Sequence, residues 1–290
     1  MNFYYVNSKG QKLDFSTYPY IFQEGNLTDY SWQYDAVEGE RQNKISKIRR
    51  GIGERSFKLA LIPDFSLSLQ ERRSKLLEYA DNVYNVFETD VINQTEGKLY
   101  SSTGYYLPCM IVSSTKEMWN SGLPFMFQTF NIVSTNNAWI KEETKSFSSY
   151  ASTNRGSIGE LDYPHDYEFD YAQKQVGVSH WNLEHIAKCK FKMIIYGPVI
   201  EPQITINNHP YKLLTTINSG EYAVIDAKNN TVVKVNEVGE TINIYDLRSK
   251  INSVFEPLPA NDVMTIVWNG SFGFDITAYI ERSEPRWSWF

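Results

Sequence analysis

The sequence lacks the long apolar run that a membrane-spanning helix needs. No stretch of its 290 residues approaches the roughly 20 consecutive apolar residues that span a bilayer. The N-terminal stretch MNFYYVNSKGQKLDF also lacks the basic start and apolar core of a signal peptide. We therefore expect synthesis in a cytoplasm and no insertion into a membrane.

Positive charge is also scarce. The chain has 28 Lys and Arg against 34 Asp and Glu, a formal net charge of −6. A nucleic-acid groove needs clustered positive charge, so this balance argues against a nucleic-acid partner. The one basic cluster is the run RQNKISKIRR at residues 41–50. We interpret it as the solvated face of a strand rather than as a track for phosphates.

Cysteine is nearly absent, because the chain has only Cys109 and Cys189. In a reducing compartment, two such distant residues are expected to be buried free thiols rather than a disulfide. A chain of this length buries roughly three quarters of its unfolded surface, so the fold needs no disulfide or metal for its stability.

Aromatic residues are abundant, at 15% of the chain. They favour strands, and they are also enriched in large protein interfaces and on sugar-binding surfaces. Most segments show the short alternating pattern of strands, and their even spacing beyond residue 186 predicts a β-sandwich or barrel. One of these strands alternates buried positions from Ala187 to Ile195 with a lysine-rich outer face. The segments KLYSSTGYYLPCMIV and LPFMFQTFNIV predict a hairpin or meander.

One segment predicts a helix from about residue 68 to residue 90. Ser68 and Glu71 have the spacing of a capping box, in which each side chain bonds the backbone of the other. Apolar residues then follow at intervals of three and four, which predicts a single stripe that packs on the core. The members of this stripe are Leu76, Leu77, Ala80, Val83, Tyr84, Phe87 and Val91.

Composition changes at residues 142–160, EETKSFSSYASTNRGSIGE, which are rich in Ser, Thr, Gly and charge. We interpret this segment as a linker. Two turns are predicted further along the chain. One is Lys228-Asn229-Asn230, and the other is Asn269-Gly270.

The stretch YPHDYEFDYA, residues 163–172, places Asp166, Glu168 and Asp170 on one face of an extended chain. A calcium loop is excluded, because its sixth and twelfth positions would be Tyr171 and Gly177. Opposed catalytic carboxyls would need a partner elsewhere in the chain. We interpret the stretch as an amphipathic strand at the start of a second domain.

No other motif predicts chemistry. The four histidines, His165, His180, His185 and His209, do not have the HExxH spacing. The segment Gly51–Ser56 lacks the third glycine of a dinucleotide loop and the Lys-Ser/Thr of a P-loop, so it predicts a turn or bulge between strands. We therefore expect no catalytic residue, no cofactor-binding residue and no metal ligand.

Several short motifs, in order, resemble the distal tail protein (Dit) family of long-tailed, siphophage-type bacteriophages. The first half is similar through RRGIGERSFKLAL, the single helix and KLYSSTGYYLPCMIV. The second half carries most of the resemblance. Its motifs are Tyr163-Pro164, Asp166-Tyr167, Asp170-Tyr171, Ile195-Tyr196-Gly197-Pro198, Pro202, Ile204, Ile206-Asn207, Tyr211, Gly220-Glu221, Ile225-Asp226, Val254-Phe255, Trp268-Asn269-Gly270, Phe272-Gly273-Phe274-Asp275 and Ser283-Glu284-Pro285-Arg286-Trp287.

The resemblance implies a mainly β protein with two domains. Residues 1–150 would form an N-terminal belt domain of strands in a sandwich or barrel plus one helix. Residues 151–290 would form a C-terminal galectin-like β-sandwich. It implies a virion structural protein at the tail tip, not an enzyme. Six copies would close a homohexameric ring at the distal end of the tail tube. The ring would act as a baseplate hub in host adsorption, with the tail tube protein, a tail-tip hub or tail-associated lysin, and receptor-binding or adhesion proteins as its partners.

Three alternatives remain open from the sequence. A carbohydrate-binding β-sandwich that recognises host cell-wall sugars fits the aromatic content. A glycoside hydrolase with a β-sandwich accessory domain would need two opposed acids, for which the sequence offers no pair. A tail protein of a defective prophage or bacteriocin particle would have the same sequence features as a protein from a working phage.

Overall fold

The computed structural model describes residues 1–39, 42–118, 123–149, 177–260 and 262–287. Over these residues the protein is mainly β, with 50% of them in strands and a single α-helix. This confirms the predicted fold class at the level of a mainly β chain with one helix. Among the described residues, no helix is both long and apolar enough to cross a membrane.

Contacts between residues divide the chain into two compact units. The first comprises Met1–Lys141 with Glu281–Phe290, and the second comprises Glu142–Ile280. The limits that the sequence suggests for the two domains, 1–150 and 151–290, stay a prediction.

The first unit contains helix α1, Leu69–Ile92. Its described strands are β1 Phe3–Val6, β2 Lys12–Asp14, β3 Ser16–Thr17, β4 Tyr20–Gly25, β5 Gln33–Val37, β6 Lys44–Arg49, β7 Gly53–Leu61, β8 Gly97–Ser101, β9 Tyr106–Glu117 and β10 Met126–Ser134. Strand β11, Trp139–Phe147, begins in the first unit and ends in the second.

Antiparallel pairing joins β9, β10, β7, β4 and β3 in that order. Strand β8 pairs with β9 and with β1, and β1 also pairs with β2. The consecutive antiparallel strands β8, β9 and β10 confirm the predicted meander. The residues between β6 and β7 form a short connection, as predicted for the glycine-containing segment that begins at Gly51.

Aromatic rings fill the core between this sheet and the helix. The Phe57 ring lies between those of Phe15 and Phe130, with a centroid distance of 5.3 Å to each. Phe87 of α1 meets the Phe130 ring edge-on at 5.0 Å and the Tyr5 ring at 5.2 Å. Buried aromatic pairs of this kind contribute large burial with defined geometry, so Phe87 anchors the helix to the sheet.

The helix begins as the sequence predicts. The backbone N–H of Ser68 donates to Oε2 of Glu71 at 2.9 Å, and the N–H of Glu71 donates to Oγ of Ser68 at 3.4 Å. Both halves of the capping box are therefore present.

The predicted apolar stripe is only partly correct. Leu76, Val83 and Phe87 are buried, but Leu77, Tyr84 and Val91 are 65%, 60% and 38% exposed. Compared with the predicted stripe, the buried face of the helix is rotated towards Asp90. The sequence pattern predicts that this polar residue is exposed. Asp90 is fully buried because its carboxylate accepts hydrogen bonds from the Tyr5 hydroxyl at 2.6 Å and the Ser8 N–H at 2.7 Å.

The second unit consists largely of two antiparallel sheets. Its described strands are β12 Gly177–Asn182, β13 Lys190–Tyr196, β14 Val199–Ile200, β15 Gln203–Ile206, β16 His209–Lys212, β17 Thr216–Ile217, β18 Tyr222–Asp226, β19 Thr231–Val235, β20 Thr241–Asn243, β21 Val263–Trp268 and β22 Phe274–Arg282, the last of which ends in the first unit. One sheet has the order β20, β19, β18, β13 and β22, and the other has the order β12, β21, β15 and β16.

These two sheets pack face to face. Phe191 of β13 meets the Tyr211 ring of β16 at 5.4 Å, and Trp268 of β21 meets the Phe274 ring of β22 at 5.2 Å. All four side chains are buried. The second unit is therefore a β-sandwich, as predicted.

Local predictions in this unit are confirmed. In β13, Phe191, Met193 and Ile195 are buried and alternate with the lysines. The turn at residues 228–230 joins β18 to β19, which pair directly. The Asn269-Gly270 turn leads from one sheet to the other, because β12 and β15 already occupy both edges of β21.

The predicted linker at residues 142–160 is wrong in its first part. Residues 142–147 belong to β11, where the Phe147 ring stacks on that of Phe274 at 4.5 Å. The Thr144 and Thr277 hydroxyls are 2.8 Å apart. Exposed and half-buried residues alternate from Glu142 to Ser146, so the segment is a strand despite its composition. Residues 150–160, the stretch YPHDYEFDYA and His165 lie outside the described residues.

Candidate assembly surfaces

Histidine is the residue most often used in acid–base catalysis, and the described histidines each lie in a separate environment with structural contacts. Nε2 of His209 is 2.8 Å from the carbonyl oxygen of Ser253, and Nδ1 of His180 is 3.4 Å from Oγ1 of Thr265. His185 lies in the connection between β12 and β13. In the described ranges, no group of three or more His, Cys, Asp and Glu side chains could hold a metal ion. The absence of catalytic and cofactor-binding residues stays a prediction.

Both cysteines are buried and neither forms a disulfide, as predicted. Cys109 lies in the first unit and Cys189 in the second. Burial raises the pKa of the Cys109 thiol to about 12. At neutral pH this thiol is protonated and therefore a poor nucleophile.

Strands β5 and β6 form a two-stranded antiparallel hairpin that belongs to no larger sheet in the described part of the chain. We call this hairpin the arm. Every residue of both strands is exposed. The exposure of β6 confirms that the basic run forms a solvated strand.

The arm has one apolar face, because residues opposite each other on paired strands share a face. Tyr34 lies opposite Ile48, and Ala36 lies opposite Ile45. The side chains of Tyr34, Ile45 and Ile48 are 65%, 56% and 58% exposed. The opposite face is charged and carries Lys47 opposite Asp35 and Lys44 opposite Val37.

The second surface is an open groove between α1 and the strands β9 and β10, with a volume of about 330 Å³. We call it the helix groove. Its buried part includes Phe87 and Phe130, and its rim includes Tyr84 and Val91 of the helix and Val112 of β9. The exposed half of the predicted helical stripe therefore lies along this groove.

The charged residues that α1 contributes to the groove are acidic. From Leu76 to Ile92 the helix carries four acids and no Lys or Arg. Two of these acids, Asp81 and Glu88, line the groove, and Lys116 lies on the side of β9. Oε2 of Glu88 is buried and has no hydrogen-bond partner in the described part of the protein.

In the described part of the protein, the arm and the helix groove both present apolar side chains to solvent. Large exposed apolar patches often mark interaction sites on proteins. A scan against protein-family models and a search of curated proteins found no match.

Solved structures of phage tail proteins share the fold. The crystal structure of the Dit protein of phage SPP1, a hub of the adsorption apparatus in phages that infect Gram-positive bacteria, has 10% identity and a TM-score of 0.61. The likeness covers 97% of this chain and 99% of that one. Chains from two structures of the phage P2 baseplate in its activated conformation are also similar. The chain from the structure with calcium has 11% identity and a TM-score of 0.57, and the chain from the structure with strontium has 13% identity and a TM-score of 0.55. These matches cover 98% of this chain and 99% and 100% of theirs. The predicted resemblance to the distal tail proteins is confirmed in the fold.

The sequence pattern predicted the basic strand and the helical stripe, but it did not show that the arm and the outer half of the stripe are exposed in the described part of the chain. A signal was present in the charge pattern. Residues 42–53 contain four bases and no acid, whereas residues 76–92 contain four acids and no base. The two segments therefore carry opposite charge.

Proposed function

We propose that the protein is a structural phage tail protein that forms a homohexameric ring at the distal end of the tail tube. In this role it is the baseplate or tail-tip hub, and it has no catalytic activity. The observation that supports this proposal best is the fold likeness to the SPP1 hub protein, which spans 97% of this chain and 99% of that one.

The proposed roles of the two halves differ. The belt domain, residues 1–150, makes the ring contacts and carries both the arm and the helix groove. The galectin-like sandwich domain, residues 151–290, binds receptor-binding or adhesion proteins. The ring connects the tail tube protein to the tail-tip hub or tail-associated lysin, and it acts in the virion after assembly in the host cytoplasm.

The mass of the purified protein tests the ring. We expect native mass spectrometry to show a species six times the 33.6 kDa chain mass, in equilibrium with smaller forms as the protein is diluted. Negative-stain electron microscopy of the same sample should show closed rings. Antibodies against the chain should label one end of purified tails.

A protein that stays monomeric at high concentration, together with tails that bind no antibody, would contradict the proposal. Rings of another copy number would change the stoichiometry and leave the hub role in place. A heat-unfolded sample of the same chain is the control for non-specific association.

No observation singles out the carbohydrate-binding alternative. In the second unit the described tryptophans, Trp181 and Trp268, are 7% and 4% exposed, and the exposed aromatic side chains include Tyr196 and Tyr245, at 40% and 37%. We therefore propose the structural role alone. Specific binding on a glycan array would be needed to restore the alternative.

A further inference from the structure

We propose that Arg55 binds a small monovalent anion of the size of chloride inside the first unit, beside Gly53 and Asn137. The site does not depend on the proposed ring, because the side chains that form it are buried and belong to one copy. The anion fastens the loop between β4 and β5 and the turn before β11 to strand β7.

Arg55 is a buried charge. The residue is 4% exposed, and its side chain lies on the same face of β7 as that of Phe57, which packs in the aromatic core. A guanidinium stays protonated in a folded protein. A buried charge is destabilising unless an opposite charge and hydrogen-bond partners accompany it. Arg55 therefore needs a negative partner.

The described part of the chain supplies one acceptor for this guanidinium. Nε of Arg55 donates to the backbone carbonyl oxygen of Asp29 at 3.0 Å. Nη1 and Nη2 are both buried and have no hydrogen-bond partner among the described residues. Burial lowers the pKa of the guanidinium, and the charge of the exposed Asp29 carboxylate opposes this shift only in part. The fork formed by Nη1 and Nη2 is therefore open to a ligand.

A second buried group points to the same position. Oδ1 of Asn137, in the turn before β11, is also buried without a hydrogen-bond partner in the described ranges. A Cβ on Gly53 would lie 2.4 Å from this oxygen and 3.1 Å from Nη1 of Arg55. The two groups without partners therefore border the space that a larger residue at Gly53 would fill.

The chemistry of these groups selects an anion. Nη1 and Nη2 belong to the planar fork of N–H donors with which arginine binds anions. A half-turn of the Asn137 amide exchanges its oxygen for the NH2 group, which adds a third donor. The positive guanidinium repels metal cations. Because Arg55 and Asn137 are both buried, the ligand must be small, and chloride is the probe of this class.

The anion joins segments that meet at β7. The backbone N–H of Asn26 donates to the carbonyl oxygen of Ser56 at 3.0 Å, and the N–H of Ser56 donates to Oδ1 of Asn26 at 2.6 Å. These bonds and the Asp29 contact attach the loop after β4 to β7. An anion held by Arg55 and Asn137 adds the turn before β11. We therefore expect chloride to slow amide hydrogen exchange in residues 26–32 and 135–138.

Thermal unfolding of the full chain at constant ionic strength tests the site. Sodium chloride replaces sodium gluconate in steps, and gluconate is too large for a buried site. An anion that binds only the folded chain raises Tm by mass action. We expect a rise of roughly 3–6 °C for each tenfold increase in chloride above the Kd.

Two variants and a matched control assign the response to the site. Asn137→Asp places a fixed carboxylate beside the guanidinium. In gluconate this variant should reach the Tm that the unmodified chain has in chloride, and added chloride should not raise it further. Arg55→Met removes the charge, and its Tm should not respond to chloride. Arg49→Met, at an exposed arginine of β6, is the control and should respond as the unmodified chain does.

A bromide experiment with the unmodified chain decides the case if a variant folds poorly. Crystals grown in sodium bromide are measured at the bromine absorption edge. We expect an anomalous peak in contact with Nη1 and Nη2 of Arg55 and with the Asn137 amide. Peaks on surface side chains alone would mean an adventitious ion only and would overturn the inference.

Two results of the unfolding experiment would also overturn it. A Tm of the unmodified chain that does not respond to chloride would show that water satisfies the guanidinium. A response that persists unchanged in Arg55→Met and Asn137→Asp would place the anion elsewhere. Neither result bears on the proposed ring, which the mass of the unmodified protein tests separately.

Discussion

Glu221 lies in the turn before β18, where two donors meet its carboxylate. The backbone N–H of Asn218 donates to Oε2 at 2.8 Å, and Nζ of Lys234 is 3.1 Å from the same atom. These two contacts hold the pKa of Glu221 below its ordinary value of 4.5, and the hydrogen bond from Asn218 has the larger effect. The ion pair is among the less exposed pairs in the protein, with side chains that are 17% (Lys234) and 11% (Glu221) exposed.

The lowered pKa gives a pH-dependent prediction for Glu221→Gln. A lowered folded-state pKa means that the unfolded chain binds more protons, so the contribution to stability is present above the ordinary pKa and is lost as the pH falls through the lowered one. We expect the variant to have a lower Tm than the unmodified protein at pH 7. The gap should narrow as the pH falls below about 4.

Thermal unfolding of the sandwich, followed by circular dichroism from pH 7 to pH 3, measures this gap. Glu237→Gln, at an exposed position in the same unit, is the matched control and should leave Tm unchanged across the range. A gap for Glu221→Gln that stayed constant with pH would show that packing, and not the carboxylate charge, causes the loss.

At the scale of one element, the capping box gives a prediction for α1. Ser68→Ala removes the hydroxyl that accepts a hydrogen bond from the backbone N–H of Glu71. This N–H lies in the first turn, where backbone N–H groups have no partner within the helix. We expect the free energy of unfolding to fall by about 1 kcal/mol, the usual effect of removing a serine N-cap.

Ser74→Ala is the matched control, because it makes the same change at an exposed position inside the helix. Alanine has the higher helix propensity, so this variant should be as stable as the unmodified protein or slightly more stable. Urea unfolding of both variants gives the comparison. Equal losses in the two variants would mean that the capping box contributes nothing measurable.

The elements themselves were largely predictable because their causes are local. The capping box depends on two residues three positions apart, and the alternation in β13 depends on a single strand. The orientation of α1 was not predictable, because Asp90 is buried through a hydrogen bond from Tyr5, which is 85 positions away. The same limit applies to the candidate surfaces. The alternation in β5 and β6 indicated strands, but only the tertiary structure shows that no element of the described chain covers them.

At the scale of the whole molecule, the chain returns to its first unit after the sandwich. Nη1 of Arg50 is 2.8 Å from Oε2 of Glu281, a pair separated by 231 positions. Both residues belong to the first unit. Composition could not reveal this return, because nothing in the basic run that ends at Arg50 points to a partner 231 positions away.

The Arg50–Glu281 pair gives the last prediction, for Glu281→Ala. The two side chains are 22% and 28% exposed, so the guanidinium would lose its partner in a largely desolvated position. Removal of a hydrogen bond to a charged group costs about 1.5–3 kcal/mol. We expect faster amide hydrogen exchange in peptides from β7 and β9 and unchanged exchange in β13 and β18, measured by mass spectrometry. Glu54→Ala, at an exposed position of the first unit, should change neither set. Faster exchange confined to the sandwich peptides would show that Glu281 stabilises the second unit instead.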